Sequence, residues 1–93
     1  MQMGVPMTTK NDIQLHIIDY FAWRFNAQRW DFTEKTNVRK RFKSAAAWEA
    51  LADTFNDAEW MKDLGVVLDQ DEMDERKTIG DLTDLIYGKY SNT

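Results

Sequence analysis

The 93-residue chain has no cysteine, one histidine, one proline and four glycines. Without cysteine there is no disulfide framework and no thiolate metal site, and the composition suits a reducing compartment. His16 stands alone, which excludes a histidine-based triad and a multi-histidine metal site. No apolar run approaches the roughly 20 residues that a membrane helix needs. Residues 1–9 also lack the apolar centre of a signal peptide. So little glycine and proline leaves few turn signals for a sheet. These absences predict a small, cytoplasmic, all-α domain that is not an enzyme.

What is present suits one small core: 43% of residues are hydrophobic and 13% aromatic. The net charge of −4 is unevenly divided. Residues 1–43 carry eight basic and four acidic side chains, a net of +4, and residues 44–93 carry four and twelve, a net of −8. Such asymmetry governs the choice of partner and the rate of encounter. One domain with two electrostatic faces is predicted, spanning 9–90 between a disordered lead (1–8) and a short tail (91–93).

Ile13, Ile17, Phe21 and Phe25 recur every fourth residue, with Ile18 and Ala22 widening the stripe. The spacing predicts a first helix over about 10–26, starting from Thr9 and Asp12. Residues 27–43 lack sustained periodicity and read as a long ordered loop, pinned by Trp30, Phe32, Val38 and Phe42. A second helix is expected over about 44–63, with Trp48, Leu51, Ala52, Phe55, Ala58 and Met61 on its apolar stripe. Ser44 is its N-cap candidate and Gly65 its terminator. The acidic stretch 69–76 has room for one helical turn around Met73. A last helix begins at Thr78, with Asp81 completing a capping box, and buries Ile79, Leu82, Leu85, Ile86 and Tyr90.

At the C-terminal end, LGVVL over 64–68, the acidic run 69–75 and TIGDLTDLI over 78–86 form one gap-free pattern. Upstream, FTEKTNV over 32–38 leads to Phe42, and Glu49, Asp53 and Asp57 repeat at every fourth residue. Together these resemble the acyl carrier protein family over most of residues 11–90. The resemblance implies a bundle of four helices, three main and one short, with a long first loop. It also implies that the Glu49/Asp53/Asp57 face meets basic patches on synthase- or transferase-like enzymes. Carriers in that family hold phosphopantetheine on the serine of an Asp-Ser-Leu motif at the start of the second helix.

This chain departs from the motif. Counting back from Leu64 puts Glu49, Ala50 and Leu51 there, and an alanine methyl forms no phosphodiester. Counting forward from Val38 and Phe42 reaches Ser44, the one hydroxyl near the site, preceded by Lys43 rather than an acid. An N-cap role for Ser44 is favoured over attachment. The expectation is a non-catalytic protein-interaction module with no cofactor as written. The alternative is a working acyl or peptidyl carrier in fatty-acid, polyketide or related biosynthesis, with phosphopantetheine on Ser44. A regulatory or immunity-type helical protein with only accidental similarity is a third reading, and it predicts a different helix arrangement, such as a long second loop or an exposed 79–86 face.

Other constellations have plainer readings. The 69–75 run fails the calcium-loop pattern, with Met73 at the fifth position and Asp74 where glycine belongs, so a solvated acidic face is expected. Arg39, Lys40, Arg41 and Lys43 suit partner docking better than nucleic acid, given the overall acidity. Trp60, off the main stripe, is read as an exposed interface anchor, and Trp23 also falls off its helix's line.

Overall fold

The computed structural model describes residues 8–92. All but Thr8 of the lead expected over 1–8, and Thr93 of the tail, lie outside the described residues. The described chain is all-α, with no strand beyond one isolated bridge.

Helix α1 spans Lys10–Phe25. Thr9 Oγ1 accepts from the Asp12 N–H at 3.1 Å, and the Asp12 carboxylate accepts from the Thr9 N–H at 3.0 Å. This reciprocal pair satisfies donors that a helix start otherwise leaves open. At the other end Asn26 turns left-handed (φ 55°), and its N–H closes onto the Ala22 and Trp23 carbonyls. Ile13, Ile17, Ile18, Phe21 and Ala22 form the buried face.

The expected second helix is not one helix. It begins at Ser44 as α2, Ala45–Glu49, and passes through right-handed Ala50 into α3, Leu51–Asn56. At Ala58 the backbone becomes extended (ψ 138°), and α4, Glu59–Leu64, starts afresh. The reason lies in helical phase. Continued at 3.6 residues per turn, the Trp48–Phe55 stripe would turn Glu59 and Lys62 inward and Met61 outward. The break resets the phase, so Met61 is fully buried while Glu59 and Lys62 stay exposed. Burying that side chain contributes roughly 1.5–3 kcal/mol. Gly65 at φ 73° ends α4 as the sequence predicts.

A 3-10 turn, Gln70–Met73, follows and buries Met73. The last helix, α5, spans Ile79–Ser91 and so takes one residue of the expected tail. It packs against α1 more extensively than any other pair of elements. A Lys10–Asp84 ion pair of 2.6 Å ties the start of α1 to it. Ile79, Leu82, Leu85 and Ile86 are buried, so the exposed 79–86 face, one form the third reading could take, is not present.

The long first loop is ordered by 3-10 turns at Arg29–Asp31 and Arg39–Arg41. Phe32, Val38 and Phe42 are buried as expected, but Trp30 is 79% exposed and pins nothing to the core. The loop instead grips the start of α5. The Ile79 N–H donates to Thr36 O (3.0 Å) and the Gly80 N–H to Glu34 O (2.7 Å). The next amide, Asp81 N–H, donates to Thr78 Oγ1 at 3.0 Å. Every donor in that first turn therefore has a partner, two of them more than 40 residues upstream in the chain.

Candidate functional site: an acidic surface beside helix α2

Three side chains lay the acidic segment along α2 and α3. The Trp48 indole N–H donates to the buried Met73 carbonyl at 2.7 Å. Asn56 both donates to Leu68 O (2.9 Å) and accepts from Leu68 N–H (2.8 Å), as a neighbouring strand would. Gln70 Nε2 donates to Asp53 Oδ2 at 2.9 Å. Glu49 is thus brought beside Asp74 and Asp71, and Asp53 beside Gln70, joining two acidic features that lie apart in sequence. Asp57, exposed at the end of α3, extends the same helix.

The electrostatics record the crowding. A hydrogen bond with Asp74, then its charge, raises the Glu49 carboxyl above its ordinary range; Asp71 adds to this and Arg39 opposes it. Glu72 moves the other way, lowered first by the Asp69 backbone N–H and then by Lys89, whose Nζ lies 2.8 Å from its carboxylate. Among the described residues no three Asp, Glu or His side chains converge as a cation site.

Ser44 is exposed at the start of α2, and its Oγ accepts from the Ala47 N–H at 3.1 Å, an N-cap bond. Ala50 is exposed at the α2–α3 junction and presents only a methyl group. The two registers read from sequence therefore fall at different ends of one short helix.

The basic side chains gather at the C-terminal end of α1. The Arg41 guanidinium lies 4.2 Å from the Phe25 ring centroid and that of Arg24 lies 4.7 Å from Phe42. Arg39, half-buried, donates to the Phe42 carbonyl at 3.3 Å. Lys40 and Lys43 are exposed. Trp60 corrects an expectation: it is half-buried rather than exposed. Its indole stacks on His16 (centroids 4.8 Å apart, planes within 4°) and tilts against Phe55. It therefore seats α4 on α1. Trp23 and Trp30 are the tryptophans that face solvent, at 77% and 79%. The helical phase of α1 marks Trp23 in the sequence, whereas no periodic signal marks Trp30.

An open groove of about 380 Å³ lies between the end of α4 and the end of α5, lined by Gly65, Val66, Val67, Lys89 and Asn92. No helix among the described residues is long and apolar enough to cross a membrane. Comparison of the chain with family models, curated proteins and solved structures finds no significant match.

Proposed function

We propose that the chain is an acyl-carrier-protein-like interaction module. Its acidic surface docks the basic face of synthase- or transferase-like enzymes, and it carries no phosphopantetheine. The observation that supports this most is the meeting of the Glu49/Asp53 stripe with the acidic 69–75 segment, close enough that Asp74 and Asp71 raise the Glu49 carboxyl above its ordinary range. Such a surface speeds encounter with a basic partner and selects against acidic ones. The order of elements is compatible with a carrier-like bundle in outline: a first helix, a long loop, the three short helices α2–α4 where a carrier has one, a short turn and a last helix. No chemistry takes place on the module, which recruits or competes through its charge pattern.

A second reading is a working carrier loaded at Ser44. It is favoured by one observation, the exposed hydroxyl at the N-cap of α2.

Competition tests the docking claim. A promiscuous phosphopantetheinyl transferase loads a standard carrier in the presence of this protein. Inhibition that is lost in the Asp53→Lys/Asp57→Lys double variant supports docking through the acidic surface. Absence of inhibition, or inhibition unaffected by the charge reversal, overturns it.

A further inference from the structure

Two tryptophans stand almost wholly in solvent, Trp23 at 77% and Trp30 at 79%. Indoles are the largest apolar groups available to a fold, and leaving two of them unburied forgoes a sizeable hydrophobic gain.

One ion pair draws their segments together. Arg29 Nε lies 2.6 Å from the Asp19 carboxylate, which fastens the Arg29–Asp31 turn to α1. Trp23 follows Asp19 by one helical turn and Trp30 follows Arg29 directly, so both tryptophans stand next to that junction in the chain. Phe25 stacking on Phe32 (6.5 Å between centroids) holds the other end of the turn. The platform is therefore fixed before anything binds, which lowers the ordering cost of association.

Its charged neighbours sum to a net positive charge. Asp19 is neutralised by Arg29, and the Asp31 carboxylate, which accepts from the Gln28 backbone N–H at 3.0 Å and keeps its charge, stands against two arginines. Arg24 and Arg41, stacked on Phe42 and Phe25, flank the same end of α1. Among the described residues neither forms an ion pair. Tryptophan and arginine together are the side chains that dominate binding energy at protein interfaces.

We propose that the Trp23–Trp30 surface docks an acidic protein segment bearing large apolar side chains, a partner opposite in charge to the one met by the acidic surface. The observations favour protein over nucleic acid. Affinity for nucleic acid comes chiefly from phosphate neutralisation by many cations. Here two stacked arginines sit on a chain of net charge −4. This inference stands independently of the carrier-like reading, because it uses none of the residues beside α2.

A random 12-residue peptide library selected on the immobilised protein tests it, with the Trp23→Ser/Trp30→Ser variant as counter-selection. Both indoles are exposed, so the variant should keep the wild-type circular dichroism spectrum. The expected winners combine Asp or Glu with Leu or Phe. Synthesised, they should shift the Trp23 and Trp30 indole N–H resonances and bind the variant at least about tenfold more weakly. Selection of basic or neutral peptides, or of none that discriminate the variant, overturns the proposal. So does tighter binding of oligo-dT at these indoles, or an indole shift on simple concentration of the protein, which would assign the surface to nucleic acid or to a second copy.

Discussion

Trp48 and Met73 lie 25 residues apart, yet the Trp48 indole N–H donates to the Met73 carbonyl at 2.7 Å inside the core. Both side chains are buried, at 1% and 0% exposure. The bond holds the acidic segment against α2, and with it the charged surface that the proposed docking requires. Trp48→Phe keeps an aromatic ring but leaves that carbonyl without its donor. A buried polar group left unpaired costs about 1–3 kcal/mol. Urea unfolding should show a loss of that size, and a loss below about 0.5 kcal/mol would contradict the role given to the bond.

Gly80 illustrates a position where the usual helix rule reverses. Alanine normally stabilises a helix by up to about 1 kcal/mol over glycine. Here a Cβ would lie 2.9 Å from the Glu34 backbone carbonyl, the same oxygen that accepts the Gly80 N–H at 2.7 Å. Gly80→Ala should therefore lower the melting temperature and speed exchange of the residue-80 amide, as the loop is pushed from α5. A stabilised variant would show that the loop yields without loss.

The capping box at Thr78 and Asp81 should contribute as such caps generally do. Thr78→Ala is expected to cost about 0.5–2 kcal/mol in urea unfolding. The Asp81 carboxyl is held below its ordinary range by the Lys77 backbone N–H first, and by Thr78. Its contribution is thus complete above the unfolded-state value and is lost as pH falls through the lower folded-state value. The stability gap between the protein and Asp81→Asn should shrink on acidification, and a gap independent of pH would contradict this.

Glu49 has the opposite sign. Asp74 makes its carboxyl keep a proton to higher pH in the folded state than in the unfolded one. Stability therefore falls as pH rises through the unfolded and then the folded value. Glu49→Gln should be more stable than the parent at neutral pH, with the advantage vanishing in acid where both side chains are uncharged. Thermal unfolding at pH 3 and pH 7 checks this, and a variant less stable at pH 7 would refute it.

The sequence conveyed these elements unequally, for physical reasons. The first and last helices were legible because their ends carry local signals, Thr9 with Asp12 and Thr78 with Asp81, and their stripes keep one phase. The break at Ala58 was not legible. Ala58 and Met61 continue the third-residue spacing from Phe55, which hides the drift that a strict 3.6-residue count shows, and the burial of Met61 fixes where the phase is reset. The clasp between Glu34–Asn37 and the start of α5 is made of backbone atoms, which side-chain patterns do not report. The place of Trp60 is hidden for a related reason: it lies off its own helix's stripe but meets His16 on another helix. At the acidic surface both charge runs were visible. Their union was not, because it depends on Trp48, Asn56 and Gln70 reaching across the fold.

Intact mass after incubation with a promiscuous phosphopantetheinyl transferase and coenzyme A tests most directly whether this is a module without the carrier's arm. With Ala50 lacking a hydroxyl and the Ser44 hydroxyl capping α2, the mass should not change. A gain of one phosphopantetheine, abolished by Ser44→Ala, would contradict the account and make the chain a carrier.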